Sequence, residues 1–377
     1  PGPSPRYRPD PLRPLSGTVD NPDTLEAYRE TAPAGGAVPL GICDPADSYA
    51  YVLVTSEAIR DAGVNPSVYN LLTHRQNQGL TATAVTIESI LAGYGGVDDA
   101  EKLRNFILDA YNNWETDYVL LGGDIDVVPM RKLYVETWPG SSYREDMPSD
   151  LYFQCLDGSY NSDEDGKWGE PTDGPGGADV DLAAEVYIGR ASAETAEELS
   201  NWMFKTLAYE MTPPDGEFLT SALMVGEYLG ANFGPDIFGY GKSYMEEIRL
   251  GSDRAGYTTL GFVANPAMTV DTLYDYDLES NWPKSEIISR LNSNTYSLIN
   301  HLGHANFDYV MRFRNGDADA LYNEKYFFLN SQGCIPGAFD KDCMSEHLTT
   351  STRHGAFAVV LNSRYGWGNY NNSWEGF

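Results

Sequence analysis

The sequence predicts an α/β fold made of two subdomains, each a mostly parallel sheet flanked by helices. Short apolar runs of strand length alternate with segments whose apolar residues recur at helical spacing, which is typical of parallel sheets. The chain has 377 residues, more than a single hydrophobic core usually serves. The pair Pro213-Pro214 interrupts the alternation near the middle of the chain. We therefore place an N-terminal subdomain at residues 47–212 and a C-terminal subdomain at residues 213–377.

The N-terminal subdomain follows a stretch rich in Pro and Gly that lacks periodicity, residues 1–46, which we interpret as an extended linker or the remnant of a pro-segment. Strand and helix patterns then alternate, and this order implies right-handed crossovers within a parallel sheet. We predict strands at 49–55, 81–87, 118–124 and 185–190, and helices at 66–78, 99–114 and 195–210.

The C-terminal subdomain repeats the same alternation without an internal sequence repeat. Its apolar runs and helical spacings are bounded by Gly, Pro and Asn, as strand and helix ends commonly are. We predict strands at 218–226, 257–263, 296–306, 326–334 and 356–362, and helices at 239–250, 284–291 and 343–352.

The composition excludes some functions and favours others. Fifty-five acidic residues against 25 basic ones give a net charge of −30. A phosphate backbone would be repelled by such a chain, so we expect no nucleic-acid partner. No apolar run is long enough to span a bilayer. The acidic balance suits an extracellular protein, and it would attract cationic substrates to a cleft.

Two predicted strands near the C-terminus each break at a glycine that is followed by a reactive side chain. Gly303 precedes His304, and Gly333 precedes Cys334. The carboxyl ends of parallel strands face a common crevice, so an imidazole and a thiol at two such ends would share one edge of the sheet. A thiol needs a base, or a lowered pKa, to attack an acyl carbon. The pair therefore predicts a cysteine nucleophile with a histidine acid/base.

Several strings, in the same order, give this chain a resemblance to a known family. They are the segment from Tyr296 to Glu346 with its Gly-His and Gly-Cys ends, residues 118–129, Pro148-Ser-Asp-Leu-Tyr-Phe153, and Glu185-Val-Tyr-Ile-Gly-Arg190. Residues 49–367 resemble the gingipain family of cysteine peptidases, within the wider caspase–legumain group. The resemblance implies a caspase-like fold and a secreted cysteine endopeptidase that acts on proteins or peptides. It implies no organic cofactor.

The resemblance assigns the nucleophile to Cys334 and the general base to His304. The rival thiol, Cys343, begins a predicted helix and is expected to pack against the sheet. The rival imidazole, His301, lies three residues before His304, and such positions in an extended strand point to opposite faces. We therefore expect His301 to be structural.

Three further positions match residues with roles in that family. The backbone N–H groups of Ala305 and Cys334 are expected to form the oxyanion hole. The family usually has Gly after the base, and alanine keeps the N–H but restricts φ. Glu185 matches a carboxylate that would orient the imidazole. Trp367 matches an aromatic wall of the pocket for the residue before the scissile bond, and a flat wall suits the stem of Lys or Arg.

Residues 131–180 are predicted as a long irregular insertion, and loops of this length are usually functional or ion-bound. Within it, Asn161, Asp163, Asp165 and Glu170 supply oxygen ligands at a spacing that Ca²⁺ loops use. Position twelve is Thr172, so the loop is not an EF-hand. A structural Ca²⁺ ion and a solvated acidic loop both remain open.

Two other functions compete with the peptidase. A zinc site could group side chains of the C-terminal half, namely His301, His304, Cys334, Cys343 and His347. A non-catalytic surface protein could use the aromatic residues, 12% of the chain, in adhesion. The resemblance adds one further expectation. In the family the catalytic unit continues past the pocket Trp, so we expect a companion C-terminal chain from the same precursor to complete the catalytic subdomain.

Overall fold

The computed structural model describes residues 41–136, 143–214, 216–234, 236–253, 258–278 and 282–366. In these residues the chain forms two parallel sheets flanked by helices, together with two short antiparallel pairs. The predicted α/β fold class is confirmed. Both sheets are buried on both faces along their central strands, as is usual for all-parallel sheets.

The N-terminal sheet has the order β2-β1-β3-β6, and each neighbouring pair is parallel. Alternate residues of its central strand enter separate cores on the two faces. The strands are β1 (Tyr51–Thr55), β2 (Ala82–Thr86), β3 (Tyr118–Gly122) and β6 (Tyr187–Ala191). The helices are α1 (Glu57–Arg60), α2 (Val68–Asn77), α3 (Ile87–Gly93), α4 (Asp99–Asp109, continued by a π turn at Ala110–Trp114), α5 (Leu151–Gln154) and α6 (Ala196–Met211).

The C-terminal sheet has the order β13-β12-β9-β7-β8, again with parallel neighbours. Its strands are β7 (Ser221–Gly226), β8 (Thr269–Tyr274), β9 (Leu298–Leu302), β12 (Phe327–Ser331) and β13 (Ala356–Leu361). A small hairpin joins β10 (Tyr309–Val310) to β11 (Phe313–Arg314). The helices are α7 (Lys242–Leu250), α8 (Lys284–Leu291), α9 (Asn315–Asp319) and α10 (Met344–Thr349).

This strand order places a topological switch point between β7 and β9. The chain leaves β7 for β8 on one side and returns to β9 on the other. In open α/β sheets the crevice at such a point, outside the carboxyl ends of the strands, is where ligands bind. The segment that follows β9 therefore begins in the most favourable place on the sheet for a functional site.

Two predicted elements differ from the structure. The stretch 131–180 is not irregular throughout, because β4 (Arg131–Glu136) and β5 (Arg144–Ser149) pair as an antiparallel hairpin. The predicted strand at 257–263 is wrong, because residues 258–261 lie outside the sheet and Phe262–Ala264 forms a 3₁₀ turn. The edge strand is β8, a few residues later. Its exposed and half-buried polar positions gave little apolar pattern to recognise.

The two halves contact each other through α6. Lys205, which is buried, donates from Nζ to the carbonyls of Leu348 at 3.1 Å and His354 at 2.7 Å. The indole of Trp202 donates to the carbonyl of Phe357 at 3.2 Å. A buried ammonium needs such partners because an unpaired one is costly. These bonds tie α6 to α10, to the loop before β13 and to β13 itself.

The predicted linker falls mostly outside the described residues, but its last part is packed. Cys43 is buried in the N-terminal core, and the backbone N–H of Ile42 donates to the hydroxyl of Tyr94 at 3.0 Å. The folded part therefore begins before residue 47. Among the described helices, none combines the length and apolar character that crossing a membrane requires.

Candidate active site

Three neighbouring strands of the C-terminal sheet end in the same way, with a glycine followed by a functional side chain. Gly226 and Glu227 end β7, Gly303 and His304 follow β9, and Gly333 and Cys334 follow β12. In the register of β9 and β12, His301 lies opposite Ser331. His304 and Cys334 each come three residues after that pair. Two parallel strands in register therefore bring the imidazole and the thiol to one edge of the sheet.

The two loops that carry these residues touch directly. A Cβ atom built on Gly333 would lie 2.5 Å from the Cβ of Ala305 and 3.2 Å from the Oγ of Ser331. The first distance leaves no room for a methyl group, and the second would require Ser331 to shift by a few tenths of an ångström. The glycine before Cys334 is therefore needed for the close approach of the His304 loop.

The thiol of Cys334 is half-buried. Burial raises its pKa, and a hydrogen bond from the backbone of Gly366 offsets part of that increase. Gly366 also fits tightly, because a Cβ there would lie 2.1 Å from the carbonyl oxygen of Gln332. A thiol with a raised pKa is mostly protonated at neutral pH, so it needs an adjacent base in order to react.

His304 has the exposure that such a base requires. Its side chain is exposed, and within the described residues its imidazole makes no hydrogen bond or ion pair. Its backbone N–H donates to Oε2 of Glu227 at 2.8 Å. The loop is thus anchored through its main chain, and the ring is left free for a reacting group.

The backbone N–H groups of the two predicted oxyanion donors are not used in other hydrogen bonds of the described residues. No hydrogen bond from the N–H of Ala305 or of Cys334 is found within the described part of the chain. Ala305 has no positive φ, so alanine is tolerated where a glycine was expected. The next residue after the thiol, Ile335, is held at φ +75°, which a β-branched side chain rarely adopts. Strain of this kind is concentrated at functional sites.

Glu185 lies in the N-terminal half of the described chain. It precedes β6, at the amino end of the N-terminal sheet, and its carboxylate accepts a hydrogen bond from the N–H of Leu156 at 2.5 Å. Asp157 and Asp181 lie beside it, and burial together with these carboxylates raises its pKa to about 7. His304 follows the carboxyl end of a strand in the other sheet. The contacts given for the Glu185 carboxylate are with Leu156 and these two aspartates, and its predicted role toward the imidazole stays a prediction.

Glu227, which the sequence prediction missed, is the carboxylate beside His304. It is 4% exposed, and Arg312 Nε lies 3.6 Å from its Oε1. Burial opposes ionisation, but the contacts with His301, the His304 N–H and Arg312 hold the pKa of Glu227 below its ordinary value. The sequence did carry a sign of it, since Gly226-Glu227 ends a strand as Gly303-His304 does.

Trp367 lies outside the described residues, so its predicted role stays a prediction.

The carboxylates of the predicted Ca²⁺ loop do converge. Oxygen atoms of Asp163, Asp165 and Glu170 lie within 4.8 Å of one another, and Glu170 is buried. Oδ1 of Asn161 is buried without a hydrogen-bond partner. Lys167 pairs with Glu170 at 3.2 Å and partly neutralises the cluster. The donor set of carboxylate and amide oxygens fits a hard cation such as Ca²⁺.

The zinc alternative finds no support in the described residues. Both ring nitrogens of His347 lie 2.8 Å from carboxylate oxygens, of Asp319 and Asp342. Cys343 is buried and its Sγ lies 3.0 Å from the hydroxyl of Ser345. The potential metal-binding groups in this part of the chain consist of carboxylates alone. The five predicted zinc ligands therefore do not form one site.

Comparisons with known proteins agree with this architecture. The sequence model described as peptidase family C25 matches residues 44–376. Lys-gingipain of Porphyromonas gingivalis is 26% identical over 260 residues, which are 65% of this chain and 12% of that protein. The chain therefore spans a small part of the curated relative that it matches.

Two solved structures show the fold. One, described as the structure of a protease, has a TM-score of 0.59 at 21% identity and covers 84% of this chain and 60% of its own. The crystal structure of the Arg-specific cysteine proteinase gingipain R has a TM-score of 0.58 at 18% identity, with coverages of 86% and 64%. The predicted caspase-like fold is thus confirmed.

Proposed function

This chain belongs to peptidase family C25, and from that premise we propose that it is a secreted cysteine endopeptidase whose nucleophile is Cys334 and whose acid/base is His304. The observation that carries the proposal is the shared register of β9 and β12. His301 of β9 pairs with Ser331 of β12, and His304 and Cys334 each follow three residues later along the chain. Both lie at the carboxyl ends of strands at a topological switch point.

The proposed reaction is acyl transfer through a thioester. His304 takes the thiol proton as Sγ of Cys334 attacks the carbonyl carbon of the scissile bond. The oxyanion accepts hydrogen bonds from the N–H groups of Ala305 and Cys334. His304 then protonates the leaving amine nitrogen, the C–N bond breaks, and a thioester on Cys334 remains. Water that His304 deprotonates attacks this thioester, releasing the carboxylate product and restoring the thiol.

A carboxylate partner for the imidazole loop completes the proposal. Glu227 is the carboxylate that we propose for this role, because it accepts the hydrogen bond from the His304 main chain at 2.8 Å, and the role of Glu185 stays a prediction. Glu227 does not touch the reacting atoms in this arrangement. It is a positioning residue that fixes the loop on which the base is carried.

The proposed substrates are proteins or peptides with Lys or Arg before the scissile bond. The net charge of −30 favours the approach of cationic chains. Of the two gingipain relatives, one is named Lys-gingipain and the other is described as Arg-specific. Trp367 is the residue we propose as a wall of this pocket, where the aliphatic stem of either side chain could pack.

The location, the bound ion and the companion chain are also proposals. We propose an extracellular or cell-surface location, with Ca²⁺ as a structural ion in the loop of Asn161 to Glu170. The expected companion chain stays a proposal. The outer strand of the catalytic sheet on that side is β13, and outer strands are where further strands can pair.

The proposal is tested with fluorogenic peptides that differ in the residue before the cleaved bond. Wild-type protein should cleave mainly after Lys or Arg. Cys334→Ala should lose at least about 10³-fold in kcat, because no nucleophile remains. Cys343→Ala, a matched change of a buried thiol, should keep most of the activity.

Each result has a distinct meaning. Cleavage mainly after Asp or Asn would overturn the proposed specificity, and an active Cys334→Ala variant would overturn the nucleophile. A wild-type protein that cleaves nothing in the panel would favour the non-catalytic adhesive alternative.

A further inference from the structure

His301 is fully buried directly beneath the two catalytic loops. Its Nδ1 lies 2.7 Å from Oγ of Ser331, on the neighbouring strand. The same Oγ accepts a hydrogen bond from the N–H of Gly333 at 3.1 Å. Through this hydroxyl, His301 is connected to the backbone immediately before Cys334.

The other ring nitrogen of His301 faces the second loop. Nε2 lies 3.7 Å from Oε2 of Glu227, and that oxygen accepts the N–H of His304. A Cβ on Gly303 would lie 2.4 Å from this Nε2 and 2.3 Å from the Glu227 oxygen. The imidazole and the carboxylate therefore meet under a glycine that leaves no spare space.

The hydrogen atoms along this series of contacts can all point the same way, from Gly333 toward His301. The N–H of Gly333 donates to Ser331 Oγ, and the hydroxyl hydrogen can then go to Nδ1 of His301. With Nδ1 as an acceptor, the neutral ring carries its hydrogen on Nε2, which points toward Glu227. Glu227 in turn accepts from the N–H of His304. Nε2 makes no hydrogen bond within the described residues, so its 3.7 Å contact with Oε2 of Glu227 is an electrostatic one.

We infer that His301 is a positioning residue for the proposed peptidase reaction, because it links the backbone before Cys334 to the backbone of His304 through Ser331 and Glu227. The inference rests on the proposed function and extends it. The N–H groups of His304 and Gly333 are both hydrogen-bonded, and Ala305 and Cys334 are the residues that directly follow them. Fixing these two amides therefore also fixes the N–H groups of Ala305 and Cys334. Misplacing catalytic groups by about 1 Å can cost about 10²-fold in rate.

The test measures kcat and KM for peptide cleavage in three variants. His301→Phe removes both polar contacts, and we expect kcat to fall about 100-fold while KM changes less than about twofold. Ser331→Ala is a smaller change that removes only the hydroxyl, and we expect a fall of about 10-fold. Because both act through one chain of contacts, the double variant should lose no more than His301→Phe alone.

A matched control uses His74, whose Nε2 lies 2.8 Å from Glu210 in the N-terminal subdomain. His74→Phe also removes a histidine–glutamate contact, and it should lower the melting temperature without changing kcat. His301→Gln, which can donate and accept hydrogen bonds, should recover part of the lost kcat.

The outcome separates this inference from the proposed function. If the wild-type protein cleaves peptides and the folded Ser331→Ala and His301→Phe variants cleave them equally fast, His301 has no positioning role. Additive losses in the double variant would also overturn the inference, because they would show independent effects. A wild-type protein without activity, and with Cys334 unreactive toward alkylating reagents, would overturn the proposed function instead.

Discussion

Ser331 Oγ and His301 Nδ1 lie 2.7 Å apart across two adjacent parallel strands, and each residue is followed three positions later by one member of the proposed catalytic pair. The contact is fully buried. Buried polar groups that are satisfied make a structure more rigid and more specific. The catalytic loops therefore start from a fixed polar link rather than from the free ends of two strands.

The close approach of the two loops predicts that Gly333→Ala will lower activity. The new methyl group would lie 2.5 Å from the Cβ of Ala305, so one loop must move. We expect kcat to fall 10-fold to 100-fold, with a loss of about 1–3 kcal/mol in the free energy of unfolding from overpacking.

The matched control for this change is Gly316→Ala. Gly316 lies in α9, and a Cβ there would meet no atom within 4 Å. Alanine should leave kcat unchanged and stabilise the helix by about 0.5–1 kcal/mol. If the Gly333→Ala variant and the wild type had the same kcat, catalysis would not depend on the close approach of the two loops.

The acidic loop predicts that Ca²⁺ stabilises the protein. Millimolar Ca²⁺ should raise the melting temperature relative to a sample in chelator, since ligand present at about 100 times its Kd contributes about 2.7 kcal/mol. Glu170→Gln should abolish most of this shift, because Glu170 is the buried carboxylate of the three that converge.

Glu164 provides the control within the same loop. It is exposed and does not belong to the convergent group. Glu164→Gln should keep the full Ca²⁺-dependent shift. A melting curve that is the same in Ca²⁺ and in chelator would favour the solvated acidic loop.

Glu346 predicts a loss of stability as the pH rises. Burial raises the pKa of its carboxyl to about 8, with further contributions from Asp124, Asp342 and Glu194. The folded protein therefore holds a proton that the unfolded chain releases near pH 4.3. The stabilisation is complete below that pH and disappears as the pH rises toward 8.

Urea unfolding of the Glu346→Gln variant tests this dependence. Glutamine is neutral and can still accept the N–H of Cys343, which lies 2.8 Å from the carboxylate. Relative to the wild type, the variant should gain about 1–3 kcal/mol between pH 5 and pH 8.5, discounted for partial exposure. Glu324→Gln, an exposed change in the same subdomain, should show no such gain. A difference that does not vary with pH would contradict the prediction.

Much of the fold could be predicted because the apolar runs are clear. The strands β1, β9 and β12 are short, buried and bounded by glycines or polar residues. Both the apolar pattern and the flanking residues therefore identify them. In the structure His301 is buried and His304 is exposed, and the predicted opposite orientation of the two side chains stays a prediction. Strand alternation does not extend to His304, because β9 ends at Leu302.

The contact between Glu227 and the His304 loop could not be predicted because it depends on which strands become neighbours. Glu185 and Glu227 each lie at a strand end, one before its strand and one after it. Only the order β12-β9-β7 puts Glu227 beside His304. The edge strand β8 was missed for a related reason, since an edge strand with polar side chains is defined by its partner rather than by its own pattern.

The central claim, that Cys334 is an activated nucleophile, is tested most directly by covalent labelling. A peptidyl acyloxymethyl ketone with Lys or Arg at its reactive end would be added to the native protein, and the adduct mapped by mass spectrometry. Cys43, Cys155 and Cys343 are at most 7% exposed, and burial raises the pKa of each thiol to about 12. We expect one adduct, on Cys334, formed much more slowly in the His304→Ala variant. An adduct on Cys343, or no adduct in a preparation that cleaves peptides, would contradict the account.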